Sequence, residues 1–145
     1  MTAAVDAKKL PRIMKKSPRL RILVVDDEPL IRWSLIETLQ ARRCQVVEAA
    51  DARAALAVIG DSVRPFDVVI LDYRLPDSDD LSLLRSIRQR TPGTQVILMT
   101  AFGTPEVARD AIDLGAFRVV SKPFDVNDVA NLVAAAATTS IIPLQ

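Results

Sequence analysis

The 145-residue chain has no histidine, one cysteine and only four glycines. Without histidine and with a single thiol, a conventional zinc site is excluded. Cys44 has no partner with which to form an internal disulfide, and one free thiol suits a reducing compartment, so a cytoplasmic location is expected. Four glycines and nine prolines do not make a collagen-like or linker-like composition. No uninterrupted apolar run approaches the roughly 18 residues that suggest a spanning helix, and no membrane partner is expected. What remains is 50% hydrophobic and 26% charged, enough for one packed domain of ordinary size.

The net charge of +1 hides an asymmetry. Residues 1–21 hold Lys8, Lys9, Arg12, Lys15, Lys16, Arg19 and Arg21 against a single acid, Asp6; residues 22–145 hold 12 basic and 17 acidic side chains, a balance of −5. The reading is a solvated basic tail over 1–19, a globular body over 20–137 and a short tail over 138–145. Charges, Pro11 and Pro18 break the N-terminal stretch before any apolar stretch of a secretory signal can form.

The body alternates between two textures. Ile22–Val25, Val46–Val47, Val68–Leu71, Val96–Met99 and Val119–Val120 are continuous apolar strings, as in strands buried on both faces. Between them apolar residues recur at helical spacing: Ile31, Leu35 and Leu39; Ala54 with Val58, and Leu56 with Ile59; Leu81, Leu84 and Ile87; Val107, Ala111 and Leu114; Val126, Val129 and Val133. Pro29 suits a first helical turn, Thr104-Pro105-Glu106 reads as cap, proline and dipole-favoured acid, and Gly60, Gly93 and Gly115 read as stops. The order βαβαβαβαβα with right-handed crossovers predicts an α/β fold, a doubly wound parallel sheet.

Ligands of such sheets sit beyond the carboxyl ends of the strands. The polar residues there are Asp26, Asp27 and Glu28 after the first strand, Asp72 after the third, Thr100 after the fourth and Lys122 after the fifth. Singly, each reads as a cap, a turn residue or a solvated charge; together at four strand ends they read as one site. Two carboxylates about 5 Å apart repel by roughly 3 kcal/mol at an effective dielectric near 20. A hard divalent cation relieves this, and all-oxygen donors favour Mg²⁺ (or Mn²⁺). Asp72 is then a candidate nucleophile toward a phosphoryl group, with Thr100 and Lys122 to contact its oxygens. Glu28 is assigned to the helix start.

With these residues in place, the sequence from about Leu20 to Ala137 resembles the receiver domain of bacterial two-component response regulators. The resemblance is carried by Ile22-Leu23-Val24-Val25-Asp26-Asp27-Glu28, Val69-Ile70-Leu71-Asp72-Tyr73-Arg74-Leu75-Pro76, Val96-Ile97-Leu98-Met99-Thr100-Ala101, and Gly115-Ala116-Phe117 through Ser121-Lys122-Pro123-Phe124. Ile31-Arg32-Trp33-Ser34-Leu35 and Thr100-Ala101-Phe102-Gly103-Thr104 look most like receivers of enhancer-binding transcriptional activators.

The resemblance implies a flavodoxin-like (βα)5 fold with strand order 2-1-3-4-5. It implies that Asp72 accepts phosphate from a histidine kinase or phosphotransfer protein, whose histidine this chain lacks. Asp26, Asp27, Asp72 and the backbone carbonyl of Arg74 would hold Mg²⁺, Asp27 being the expected direct ligand of the first pair. Thr100 and Lys122 would contact the phosphoryl group, and the peptide before Pro123 would be cis. Such a domain is a phosphoacceptor, not a turnover enzyme. Its expected readout face is helix 104–114, strand 118–121 and helix 125–137, where Arg109, Asp110, Asp113 and Arg118 would serve a phosphorylation-favoured homodimer. Trp33 is expected to be partly exposed.

Three positions depart from the family pattern. Asp80 stands where glycine is usual and is expected to hold a left-handed turn. Val119 replaces the usual aromatic switch residue, and Phe117, two residues earlier, is assigned to core packing. Arg74 and Phe102 are poorly suited to orient attacking water, so slow self-hydrolysis is expected. The alternative is a degenerate receiver acting only as a protein-interaction module. A phosphohydrolase of the haloacid-dehalogenase type would need a second Asp where Arg74 stands, and a flavodoxin's phosphate would be repelled by Asp26-Asp27-Glu28. Nothing after Ala137 reads as a DNA-binding or ATPase domain, so a downstream output domain or protein is expected as a partner, and nucleic acid is not expected to be bound directly. The domain is read as stand-alone or as excised from a longer regulator.

Overall fold

The computed structural model describes residues 19–141. The proposed basic tail, Arg19 apart, lies outside the described residues. Five strands alternate with five helices: β1 (Arg21–Val25), α1 (Pro29–Ala41), β2 (Gln45–Ala49), α2 (Ala52–Asp61), β3 (Val68–Asp72), α3 (Ser82–Arg90), β4 (Gln95–Thr100), α4 (Pro105–Asp113), β5 (Arg118–Ser121) and α5 (Val126–Ile141). The strands form one parallel sheet in the order 2-1-3-4-5.

The continuous apolar strings follow from this topology. Successive strand residues point to opposite faces, and both faces of the three central strands are covered. Leu23, Val25, Val69, Leu71, Val96 and Leu98 pack with Ala55 of α2, Leu83, Leu84 and Ile87 of α3 and Ala111 of α4. Ile22, Val24, Val68, Ile70, Ile97 and Met99 pack on the other face with Leu35 and Leu39 of α1 and Val129, Ala130 and Val133 of α5. Burying each of these larger side chains contributes about 2 kcal/mol. The edge strands β2 and β5 are only partly covered, and their short apolar pairs record that.

The helix boundaries hold two corrections. Gly60 does not end the second helix: α2 runs on to Asp61, and the Ser62 hydroxyl donates back to the Val58 carbonyl at 2.7 Å. The last helix continues past Ala137 to Ile141, so the tail expected at 138 begins as helix. Thr138 and Thr139 donate their hydroxyls to the carbonyls of Ala134 and Ala135, at 2.9 and 3.0 Å, and so stay compatible with it. Gly115 does end α4, at φ +101°, and Arg43 takes the left-handed position after α1 at φ +66°. No helix among the described residues is long and apolar enough to cross a membrane.

Candidate functional site

The register of the sheet brings the distant polar residues to one edge. Val25 of β1 lies beside Leu71 of β3, Asp72 beside Met99 of β4, and Thr100 beside Ser121 of β5. The next residues in chain order, Asp26 and Lys122, therefore emerge beside Asp72 and Thr100. The Lys122 ammonium donates to Asp26 Oδ2 at 2.9 Å, Asp72 Oδ2 at 3.1 Å and Glu28 Oε1 at 3.2 Å. One carboxylate oxygen from each of Asp26, Asp27, Glu28 and Asp72 lies within 4.8 Å of the others. Only Asp27 and Glu28 of these four are exposed; Asp26 is fully buried and Asp72 is 6% exposed.

Each group is held by local structure. Asp26 accepts the Glu28 N–H at Oδ1, 2.8 Å, and its own N–H donates to the Ala49 carbonyl, 3.1 Å. Arg32, one turn into α1, donates to the Asp26 carbonyl at 2.8 Å and pairs with Glu48 at 2.9 Å. Asp72 Oδ1 accepts the Arg74 N–H at 3.2 Å, so its two oxygens face different partners. Thr100 is buried, and its hydroxyl oxygen accepts the Phe102 N–H at 3.2 Å; its carbonyl accepts the Lys122 N–H at 2.8 Å. The Lys122–Pro123 peptide is cis.

Burial and the neighbouring Asp26 charge push the Asp72 carboxyl above its ordinary range, against the opposing pull of Lys122. Desolvation pulls the Lys122 ammonium down, but its hydrogen bonds to Asp26 and Asp72 outweigh that and hold it well above the usual lysine value. The site is therefore one strongly held cation among carboxylates. Clustered carboxylate oxygens with no thiol or imidazole suit a hard oxygen-seeking cation, and the fit rests on those donors. Cys44, the lone thiol, lies elsewhere, half-buried, and burial raises its pKa.

Two residues carry more of this site than the sequence reading gave them. Glu28 does occupy the N-cap of α1, but its side chain makes no cap bond and turns to Lys122. Arg32 is the other; the signal for it was its spacing, four residues after Glu28 on the face carrying the first loop. Asp80 does not hold a left-handed turn: Arg43 is the one non-glycine with positive φ among the described residues. Instead Asp80 Oδ1 accepts the Ser82 N–H at 2.9 Å at the start of α3, a bond that needs no unusual backbone. Phe117 is partly buried in the core, Val119 packs from β5 against the α2–α3–α4 side, and Trp33 is 59% exposed. The Arg74 guanidinium lies 5.7 Å from the centre of the Phe102 ring, which joins the loops after β3 and β4.

The profile of the response regulator receiver domain matches residues 22–134. The chain belongs to the receiver domain family of response regulators. Response regulator protein PilR of Pseudomonas aeruginosa is 38% identical over 118 residues, covering 81% of this chain and 26% of PilR. The DNA-binding transcriptional regulator NtrC of Proteus hauseri is 39% identical over 120 residues, covering 81% of this chain and 24% of NtrC. This receiver domain thus spans about a quarter of those relatives, and its likeness to receivers of enhancer-binding activators is borne out. A CheY-like receiver domain from Methanospirillum hungatei superposes with a TM-score of 0.80 at 27% identity, covering 85% of this chain and 97% of that one. The receiver domain is a module of two-component signalling, and its fold is the one its strand pattern and resemblance predicted.

Proposed function

We propose that this receiver domain is a phosphorylation-dependent switch in which Asp72 takes a phosphoryl group from a phosphohistidine of a histidine kinase or phosphotransfer protein. The observation that carries the reading is the Lys122 ammonium shared by Asp26, Glu28 and Asp72 at the end of the sheet. A carboxylate oxygen of Asp72 forms the new O–P bond as the P–N bond breaks, and the imidazole nitrogen keeps the electron pair. Asp26, Asp27, Asp72 and the Arg74 carbonyl would hold Mg²⁺. When bound, it supplies charge neutralisation for the phosphoryl oxygens.

The chain's own groups do the rest. Both Asp26 oxygens are engaged, by Glu28 N–H and by Lys122, whereas Asp27 stands exposed beside them, as a direct ligand should. Lys122 transfers its contact from the carboxylates to the phosphoryl group. The Thr100 hydroxyl already accepts from Phe102, so its own proton is free to donate to a phosphoryl oxygen. The new dianionic group biases the loop 101–104 and the face of α4, β5 and α5, which serves a homodimer or an output partner. With Val119 in β5, that bias travels without an aromatic rotamer change at this position. We place the domain in the cytoplasm. The experiment is incubation with acetyl phosphate and Mg²⁺, followed by intact mass and size-exclusion measurement. One added phosphoryl group, absent from Asp72→Asn, supports the proposal; no addition to the wild type overturns it.

A further inference from the structure

The loop after the acceptor, residues 73–81, carries no helix or strand beyond an isolated bridge between Leu75 and Ser78. It is nevertheless pinned. Leu75 is 7% exposed and sits in the core, and Leu75 and Ser78 exchange backbone hydrogen bonds of 2.8 and 3.2 Å. Between them, exposed Asp77 reaches across to the N-terminus of α2. Its Oδ1 accepts the Ala52 N–H at 2.8 Å and its Oδ2 the Arg53 N–H at 3.0 Å.

A helix start leaves its first N–H groups without intrahelical acceptors. In α2, the Asp51 side chain takes only the Ala54 N–H, at 2.7 Å, as an N-cap does. Ala52 and Arg53 are supplied by a residue 25 and 24 positions away. Water can reach these exposed amides, so burial does not force this contact. These two bonds hold the Asp77 carboxyl below its ordinary range, so the acceptor stays ionised.

We propose that Asp77 is a positioning residue for the acceptor: it clamps the loop onto α2 and thereby keeps the Arg74 backbone against Asp72 Oδ1. Arg74 lies between two fixed points, the acceptor carboxylate and the core-anchored turn at 75–78. Releasing Asp77 loosens the second point. Lys122 would then hold only Oδ2, and the carboxylate loses the contact that sets its second oxygen. The functional half of this inference rests on Asp72 being the phosphoacceptor; the clamp itself does not.

The test compares Asp77→Ala with Asp51→Ala, which removes a cap from the same helix but touches nothing in the loop. Hydrogen exchange is read over 73–81, and acetyl phosphate labelling is followed against Mg²⁺ concentration. Asp77→Ala is expected to speed loop exchange about tenfold, the effect of losing two exposed hydrogen bonds that water largely replaces, and to raise the half-saturating Mg²⁺ several-fold. Asp77→Asn, which keeps one acceptor oxygen, recovers part of both. Asp51→Ala changes neither. Wild-type loop exchange in Asp77→Ala, or equal effects from Asp51→Ala, overturns the clamp. Faster exchange with unchanged Mg²⁺ dependence overturns the positioning role. If the wild type takes no phosphoryl group, the proposed function fails, while the exchange comparison still decides the clamp.

Discussion

Removing the Lys122 ammonium tests the electrostatics of the site without reference to any ligand. In Lys122→Met the stem is kept and the charge is lost. Asp26 and Asp72, both buried, then face each other with carboxylate oxygens within 4.8 Å. At an effective dielectric of 20 that repulsion is about 3 kcal/mol, and deleting one partner of a buried ion pair costs about 3–5 kcal/mol. The two figures describe the same loss, so a deficit of about 3 kcal/mol at pH 7 is expected; exposed Glu28 adds little. The deficit depends on pH. The folded Asp72 pKa is already raised by burial and by Asp26, and losing Lys122 raises it further. A carboxyl with a raised folded pKa binds its proton more tightly when folded, so stability falls as pH climbs from the ordinary carboxyl pKa toward the folded one. The variant should therefore approach wild type near pH 4 and lag most at neutral pH. In the wild type, Lys122 is raised above 10.5, so its contribution is whole below that value and fades only as pH rises through the folded pKa. Urea unfolding from pH 4 to 8 measures this. A deficit under about 1 kcal/mol at pH 7, or one that does not shrink in acid, refutes the reasoning.

Three other outcomes follow from single contacts. Arg74 and Phe102 pair over the loops flanking Asp72 and offer attacking water no carboxylate or amide, so the acyl phosphate should persist well beyond seconds in purified protein, as read by intact mass over time. A Cβ at Gly103 would lie 2.7 Å from the Thr100 methyl carbon, so Gly103→Ala should displace Thr100 and slow acetyl phosphate labelling about tenfold while leaving the melting temperature nearly unchanged. Gly115→Ala combines φ +101° with a contact of 2.7 Å to Arg88 Nε. It should cost about 1–3 kcal/mol in urea unfolding, because Arg88 must also leave its bonds to the Pro92 and Thr94 carbonyls.

The parts of this fold that the sequence exposed are those where chemistry repeats. Ile22–Val25, Val68–Leu71 and Val96–Met99 are apolar at every position because helices cover both sheet faces, and that continuity distinguishes them from half-buried strands. The helix starts at Pro29 and Thr104 were legible because proline and a capping hydroxyl act locally; Thr104 accepts the Val107 N–H as expected. Helix faces were less legible where side chains are small. Ala55, the centre of the α2 contact, carries too little hydrophobicity to stand out from Ala54 and Leu56, and Leu83 was masked by its neighbours Leu81 and Leu84. The site's membership followed from asking what ends each strand. Its wiring did not, since Glu28 and Lys122 are 94 residues apart and nothing local says that the Glu28 side chain abandons its cap. Asp77 was equally silent and Asp80 was misread as a left-handed turn, because a short acid in a loop can bond to any nearby amide, and only the fold says which amide is near.

The central claim is that Asp72, and no other carboxylate of the cluster, becomes an acyl phosphate. The direct measurement is phosphorylation by a phosphohistidine donor protein with Mg²⁺, borohydride reduction of the acyl phosphate, and peptide mass mapping. Reduction confined to residue 72 is the predicted result. Modification at Asp26, Asp27 or Glu28 instead, or an unmodified cluster after the donor has been consumed, would contradict it.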